Sequence, residues 1–269
     1  MVQKEILLNG KKFSYKTIGE GPVVMLVHGF GETGSIWKEQ AEYLSGHCML
    51  IIPDLPGSGE SELPVMDRKN LSIEDLAESI HSIITSENID ECTLLGHSMG
   101  GYITLAFAEE YPDKLKAFGF IHSTAFADSE EKKQNRKKGV EMMDKYGSYA
   151  FLKTTTPNLF AEAFKKEHGD EVNKLMEEGR QFKKENLQQY YRAMMQRFDK
   201  TNVLKNSKVP VLFIMGTEDV AAPLNDVLKQ VHQPEISYIH IVENTGHMSM
   251  LEMPGKLNEL LKNFINETE

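Results

Sequence analysis

The sequence predicts an α/β fold: a mostly parallel, twisted sheet of about eight strands with helices on both faces, interrupted by an inserted all-helical segment. Short apolar runs of strand length alternate with helical patterns up to Ile121, and the alternation resumes at Val209. Alternation of this kind is typical of parallel strands joined by helices. The insertion is indicated by residues 125–202, which contain no buried-strand run and place their apolar residues at helical spacing.

The composition is that of an ordinary globular chain with an acidic balance. Of the 269 residues, 40% are hydrophobic and 26% are charged, and the net charge is −10. Such a chain is poorly suited to nucleic acid or an anionic membrane surface, so we expect a small-molecule substrate and neither of those partners. The longest apolar run, Val23 to Val27, is too short to span a bilayer, and the N-terminal segment lacks the apolar core of a signal peptide. A cytoplasmic location is the default expectation, and the oligomeric state stays open.

The part of the chain before residue 125 carries strand and helix signals in turn. Asn9-Gly10 between two strand-like stretches is a strong hairpin signal. Ser72 and Asp75 have the spacing of a capping box, which opens a helix. The predicted strands are Val2–Leu8, Lys12–Ile18, Pro22–Val27, His47–Ile52, Cys92–Leu95 and Lys116–Ile121, and the predicted helices are Ser35–Leu44, Ser72–Ser86 and Tyr102–Tyr111.

The same rhythm returns after the helical segment. The predicted strands there are Val209–Met215 and Ile236–Val242, and the predicted helices are Pro223–Val231 and Pro254–Phe264. We therefore predict one core domain made of residues 1–124 and 203–269. Residues 125–202 are predicted to form a separate helical subdomain.

One pentapeptide, Gly96-His97-Ser98-Met99-Gly100, lies between a predicted strand and a predicted helix. This pattern describes a sharp strand-to-helix turn that presents a serine hydroxyl at its tip. The serine adopts strained backbone angles, and its neighbours two residues away come so close to it that a Cβ at Gly96 or Gly100 would clash. The N-terminus of the helix directs backbone N–H groups toward the space beside Ser98. Ser98 is therefore a candidate nucleophile.

A serine hydroxyl needs a base within hydrogen-bond reach, and the base needs a group that fixes its tautomer. In an α/β sheet these groups belong in loops at the carboxyl ends of the strands. Asp219 and His247 each lie in a loop that leaves a predicted strand, and their order after Ser98 is that of one hydrolase architecture. Glu218 stays an alternative acid. The alternative bases beyond Ser98 are His122, His168, His232 and His240.

On these motifs the chain resembles the α/β-hydrolase fold superfamily over nearly its whole length, as a serine esterase-like member with a helical cap. His28-Gly29-Phe30 resembles the oxyanion loop of that family, and the loops of Asp219 and His247 resemble its acid and base motifs. The resemblance implies that Ser98 is the nucleophile, His247 the general base and Asp219 the orienting acid. It also implies an oxyanion hole made by the N–H groups of Phe30 and Met99, with residues 125–202 as the cap.

A second motif overlaps the predicted oxyanion loop. Residues 29–34 match Gly-x-Gly-x-x-Gly, follow a strand, open a helix and precede Asp54 at the end of the next strand, which is the dinucleotide-binding fingerprint. A nucleotide-binding or non-catalytic module is kept as an alternative, although it leaves Ser98, Asp219 and His247 without a role. On the hydrolase interpretation no cofactor is expected. No His-x-His or His-Glu-x-x-His pattern occurs in the sequence, so no metal site is expected either.

The predicted activity is that of a serine hydrolase, which cleaves a carboxylic ester, thioester or lactone through an acyl-enzyme. An alternative with the same triad is hydrolysis of a carbon–carbon bond in a diketone. Methionine and aromatic residues adjoin the motifs, which favours a small, mainly apolar substrate. Trp37, Met248 and His28 are predicted to contact it.

The two cysteines, Cys48 and Cys92, begin predicted strands that flank a third strand between them. Two strand spacings separate them by about 9–10 Å, which is beyond the reach of a disulfide. We therefore predict two free thiols.

Overall fold

The computed structural model describes residues 1–64 and 70–269, and it has an eight-stranded, mostly parallel sheet. The strands are β1 (Val2–Leu8), β2 (Lys11–Ile18), β3 (Val23–Val27), β4 (Met49–Pro53), β5 (Cys92–His97), β6 (Leu115–Ile121), β7 (Val211–Gly216) and β8 (Ser237–Val242). Their order across the sheet is β1-β2-β4-β3-β5-β6-β7-β8. β1 and β4 pair antiparallel with β2, and the other neighbouring strands are parallel. The predicted fold class is confirmed.

Burial along the strands follows their place in the sheet. The inner strands β3, β5, β6 and β7 are buried at nearly every residue, as expected for parallel strands covered on both faces. The edge strand β8 alternates, and its Ile239 and Ile241 are 43% and 46% exposed. Since the inner strands are parallel and adjacent, the loops that follow β3, β5, β6 and β7 meet at one edge of the sheet.

Helices cover both faces of the sheet. The α-helices are α1 (Lys38–Leu44), α2 (Ile73–Ser86), α3 (Met99–Glu110), α4 (Glu130–Tyr146), α5 (Ser148–Thr155), α6 (Glu162–Glu167), α7 (Gly169–Glu178), α8 (Lys184–Gln196), α9 (Thr201–Asn206), α10 (Leu224–Val227), α11 (Ser249–Glu252) and α12 (Pro254–Thr268). α1 packs on α12 over one face, and α2 packs on α3 over the other. α2 begins with the predicted capping box, in which Ser72 and Asp75 exchange backbone–side-chain hydrogen bonds of 3.2 and 2.8 Å.

The chain between β6 and β7, all of which the structure describes, contains helices and turns but no strand. We call residues 125–202 the helical insertion. Its two ends meet, because the amide of Lys200 donates to the carbonyl of Ala125 at 3.0 Å. The last helix of this part, α9, continues to Asn206, past the predicted boundary at residue 202.

Some helices differ from their predicted bounds. The predicted helix at residues 35–44 is a 3₁₀ turn, Gly34–Trp37, followed by α1, and α12 continues past Phe264 to Thr268. The predicted helix at residues 223–231 is only the short α10. Here the side-chain amide of Gln230 donates to the carbonyl of Asp226 at 3.0 Å. This bond competes with the backbone hydrogen bond that the carbonyl would accept if the helix continued.

Both thiols are free and buried, as predicted for Cys48 and Cys92. Cys48 directly precedes β4 and Cys92 begins β5, and these strands lie on either side of β3. Burial raises the pKa of the Cys92 thiol to about 12, so it stays protonated at neutral pH. Among the helices of residues 1–64 and 70–269, none is long and apolar enough to cross a bilayer.

Candidate active site

Ser98 lies in a strained turn between β5 and α3. Its φ and ψ are 51° and −113°, a backbone conformation that residues other than glycine rarely adopt. A Cβ atom at Gly96 would lie 2.1 Å from the carbonyl oxygen of Gly100, so the turn closes only with glycine there. The backbone of Ser98 is fixed from β6, because its amide donates to the carbonyl of Ile121 at 3.0 Å. Met99 is the first residue of α3, and its N–H has no acceptor within the helix.

The predicted acid and base are in direct contact. Asp219 follows β7, His247 follows β8, and Nδ1 of His247 lies 2.8 Å from Oδ2 of Asp219. The other carboxylate oxygen, Oδ1, accepts from the amides of Ala221 and Ala222, each at 2.8 Å. Burial works to raise the pKa of Asp219, but the neighbouring histidines outweigh it and hold that pKa well below its usual range. Glu218, the alternative acid, is exposed.

The turn of Ser98 and the loop that carries His247, which we call the base loop after its predicted role, are joined by His97, the residue before Ser98. Nε2 of His97 donates to the carbonyl of His247 at 2.9 Å, and the two ring centroids are 4.8 Å apart. Nδ1 of His97 lies 3.0 Å from Oε2 of Glu32, and the same oxygen accepts from the amide of Gly29 at 2.7 Å. Glu32 therefore links the predicted oxyanion loop to the turn of Ser98.

His97 and Glu32 form a buried ion pair. Each ring nitrogen of His97 faces an oxygen, and a cationic imidazole, which has two N–H donors, satisfies both contacts. Burial opposes this charge, but the carboxylate of Glu32 outweighs burial and raises the pKa of His97. In turn, the positive charge and hydrogen bond of His97 overcome burial and lower the pKa of Glu32. Sequence reasoning missed this pair, although Glu32 inside the glycine-rich loop was a visible signal.

His122 is a second imidazole on the same acid. Its Nδ1 lies 3.0 Å from Oδ2 of Asp219, while its Nε2 is buried without a hydrogen-bond partner among the described residues. Its φ is 52°, and it directly follows β6, between the loops of Ser98 and Asp219. Sequence reasoning named His122 only as an alternative base. Its place at the carboxyl end of an inner strand was the signal for this contact.

One ring nitrogen of His122, one of His247 and one carboxylate oxygen of Asp219 lie within 4.8 Å of one another, a spacing that metal ligands could have. Both Nδ1 atoms face the carboxylate oxygen as hydrogen-bond donors. A metal ion in this place would have to displace both protons, so the donor set is suited to an acid held by two imidazoles.

The side chain of Phe30 is covered by the helical insertion. Its ring stacks on that of Tyr191 with centroids 4.4 Å apart and meets the edges of Phe151 and Tyr190 at 6.3 and 6.5 Å. The predicted oxyanion loop and the helical insertion thus share an aromatic cluster. Such a cluster gives an apolar boundary on this side of the loop.

The other three residues predicted to contact the substrate are buried among the residues that surround the site. His28 is fully buried, its Nδ1 donates to the carbonyl of Gly29 at 2.8 Å, and its Nε2 accepts from the amide of Leu55 at 2.9 Å. Trp37 is fully buried against His97, with centroids 6.3 Å apart, and the side chain of Met248 is also fully buried. With both ring nitrogens of His28 bonded to backbone, a polar contact of this residue with substrate finds no support in the structure.

The glycine-rich loop, residues 29–34, forms hydrogen bonds with other parts of the protein. Oδ1 of Asp54 accepts from the amide of Gly34 at 2.8 Å, and its Oδ2 accepts from the amide of Glu60 at 3.0 Å. A dinucleotide site needs free loop amides for phosphate and a free carboxylate for ribose. Asp54 instead holds two loops together.

Comparisons with known proteins show the family to which the chain belongs. A sequence model of the family described as alpha/beta hydrolase fold matches residues 22–254. An (E)-2-((N-methylformamido)methylene)succinate hydrolase of Acinetobacter baylyi is 25% identical, with 100% of each chain covered. A 2-hydroxy-6-oxo-6-phenylhexa-2,4-dienoate hydrolase of Comamonas testosteroni is 24% identical over 94% of this chain and 91% of that protein. A thermophilic esterase of Thermogutta terrifontis superposes with a TM-score of 0.92 at 25% identity, covering 100% of this chain and 99% of that one. The chain belongs to the α/β-hydrolase fold family, and it is a hydrolase.

Proposed function

We propose that this hydrolase cleaves a small, mainly apolar carboxylic ester, thioester or lactone with Ser98 as nucleophile, His247 as base and Asp219 as orienting acid. The observation that carries the proposal is the 2.8 Å contact between His247 and Asp219, with the loop of His247 bonded at 2.9 Å to His97, the residue before Ser98. A base whose Nδ1–H is held by a carboxylate presents its Nε2 for proton transfer.

The reaction follows from these roles. Oγ of Ser98 attacks the substrate carbonyl while its proton passes to Nε2 of His247. The N–H groups of Met99 and Phe30 stabilise the negative charge that develops on the carbonyl oxygen, and each such donor is worth about 3 kcal/mol in the transition state. His247 then protonates the departing alcohol or thiol. Water, deprotonated by His247, attacks the acyl-enzyme and releases the acid and free Ser98.

The helical insertion would act as a cap on a core of residues 1–124 and 203–269. Two contacts support this assignment: the stack of Tyr191 on Phe30, and the hydrogen bond of 2.6 Å from the amide of His247 to the carbonyl of Leu159. The insertion therefore touches both the oxyanion loop and the base loop. A cover of this kind would exclude water while the acyl-enzyme forms.

A second candidate is hydrolysis of a carbon–carbon bond in a diketone by the same triad. It is favoured by the similarity to the Comamonas testosteroni protein, whose name describes a 2-hydroxy-6-oxo-dienoate hydrolase. The two candidates differ in the leaving group, which is an alcohol or thiol in one case and a carbanion equivalent in the other.

The experiment that tests the proposal is a panel of p-nitrophenyl esters, lactones and 2-hydroxy-6-oxo-dienoates, assayed with the wild type and with Ser98→Ala. We expect release of p-nitrophenol that the substitution abolishes. Turnover of the dienoate alone would favour the second candidate. Ester cleavage that persists in Ser98→Ala would overturn the assignment of the nucleophile.

A further inference from the structure

The loop that carries His247 is bound to the helical insertion on both sides of the imidazole. The amide of His247 donates to the carbonyl of Leu159 at 2.6 Å. The carboxylate of Glu252 accepts from the amide of Ala161 at 2.8 Å and, with the same oxygen Oε2, from the amide of Gly246 at 3.1 Å. Its other oxygen, Oε1, accepts from the amide of Met248 at 3.0 Å. One side chain thus holds the residues before and after His247 and a residue of the insertion.

Glu252 is placed for this task by the fold. It ends α11, the short helix that directly follows the base loop, and it is only 8% exposed. Among the described residues it forms no ion pair, so backbone amides are the partners of its charge. Burial raises the pKa of the Glu252 carboxyl, and the three amide hydrogen bonds act against that rise. Hydrogen bonds to a buried carboxylate are strong, which makes these contacts costly to break.

The two segments also pack without space between them. A Cβ atom at Gly246 would lie 2.6 Å from the carbonyl oxygen of Leu159 and 2.7 Å from the amide nitrogen of Ala161. A shift of residues 159–161 toward the base loop therefore meets its backbone directly.

We propose that Glu252 is a positioning residue through which residues 159–161 of the insertion set the geometry of His247. Proton transfer then depends on this part of the insertion being in place, although no side chain of it takes part in the chemistry. The inference rests on the proposed function, because it takes His247 as the base.

Two substitutions break the link from opposite sides. Glu252→Gln leaves one oxygen and adds an amide donor, so the side chain can no longer accept at both positions. Ala161→Pro removes the donor on the insertion and places a ring carbon against the carboxylate. The backbone accepts proline there, since φ and ψ are −59° and 146° at Ala161 and −103° and 148° at the preceding Phe160.

The chain offers a matched control for each change. Glu162→Pro introduces the same ring one residue later, at the first position of α6, where a helix needs no N–H. Glu171→Gln makes the same change of charge at an exposed residue, which lines with Glu252 a cleft of about 500 Å³ between α7 and α1. Neither control removes a contact with the base loop.

The measurements are kcat and KM for a short p-nitrophenyl ester, with fluorophosphonate labelling to count competent sites. We expect Glu252→Gln and Ala161→Pro each to lower kcat per labelled site by about 10- to 100-fold, the scale of an ångström-sized misplacement, with KM little changed. The double variant should lose no more than the worse single variant, because both changes break one link. Both controls should retain the wild-type kcat.

Other outcomes would count against the proposal. If the labelled fraction falls while kcat per labelled site and the labelling rate stay unchanged, Glu252 serves stability only. Losses in kcat that multiply in the double variant would place the two residues in separate roles. Failure of the proposed function is distinguishable, because Ser98→Ala would then retain activity whatever the Glu252 variants do.

Discussion

His122 and His247 direct their Nδ1 atoms at one oxygen of Asp219, Oδ2, from 3.0 and 2.8 Å. With the amides of Ala221 and Ala222 on Oδ1, the carboxylate receives four N–H donors. Burial lowers the pKa of His122 to about 4, so at neutral pH this residue donates without carrying charge. Asp219 is therefore held against rotation and shares its charge between two imidazoles.

The first prediction concerns His122→Leu. Loss of the second donor leaves Oδ2 of Asp219 with one imidazole donor, so the carboxylate is held less firmly against His247. kcat should fall by about 5-fold, because a hydrogen bond is worth about 1 kcal/mol. The measurement is kcat for an ester whose cleavage Ser98→Ala abolishes. His97, the other titratable ring against His247, stays in place.

The matched control is His122→Asn, whose side-chain amide nitrogen occupies the place of Nδ1. Asparagine also tolerates the φ of 52° at this position better than other non-glycine residues. Its kcat should stay close to that of the wild type. Equal losses in the Leu and Asn variants would show that the donor has no influence on the base.

The second prediction concerns Asp219→Asn. Every oxygen of Asp219 faces N–H donors, so the new NH₂ group must oppose either the two imidazoles or the two amides. The favoured response is a change of tautomer or orientation at His247, and kcat should fall by about 10³- to 10⁴-fold. Glu218→Gln is the control, because Glu218 is exposed beside it. A greater loss in the Glu218 variant would assign the acid to that residue.

The third prediction concerns the buried pair of Glu32 and His97. Glu32→Gln leaves the charge of His97 unpaired, and breaking such a pair costs about 3–5 kcal/mol of unfolding free energy. The pKa of Glu32 is lowered and that of His97 is raised, so the pair stabilises fully above the unfolded pKa of Glu and below that of His. This window lies between about pH 4.5 and 6.5. As pH rises further, through the raised pKa of His97, the contribution is lost.

Urea unfolding of the wild type and Glu32→Gln at about pH 6 and pH 9 checks this. The difference in unfolding free energy should be larger at the lower pH. Glu42→Gln, at an exposed residue paired with Lys38, should show little difference at either pH. A difference that grows toward pH 9 would mean that His97 is neutral.

The fourth prediction concerns substrate size. The aromatic cluster of Phe30, Phe151 and Tyr191 gives the predicted oxyanion loop an apolar neighbour. With one leaving group, p-nitrophenol, each added CH₂ of the acyl chain should raise kcat/KM by up to about 0.8 kcal/mol until the space is filled. Initial rates from acetate to hexanoate measure this. A steady fall along the series would indicate a small or polar space.

The sequence predicted the sheet and the turn of Ser98 because both are local patterns. A strand buried on both faces is a short apolar run, and the turn needs glycine at fixed positions around Ser98. Asp219 and His247 were found because each follows a strand whose carboxyl end had to lie near Ser98. Their contact shows that the topology brings these two side chains together at one edge of the sheet.

The supporting contacts could not be predicted in the same way. Glu32 and His97 are 65 positions apart in the chain, and His122 and Asp219 are 97 apart, so no periodic pattern joins them. Trp37, Met248 and His28 were chosen because they adjoin the motifs. Adjacent residues point in different directions, and these three side chains are turned into the interior behind the loops.

The helical insertion also orders events during synthesis. Ser98 and strands β1 to β6 emerge first, then the insertion, and only afterwards β7, β8 and the loops of Asp219 and His247. A nascent chain therefore carries its strained serine turn before the proposed base has been made. Since distant contacts form late in folding, we expect catalytic competence to arise late, when α12 docks on α1.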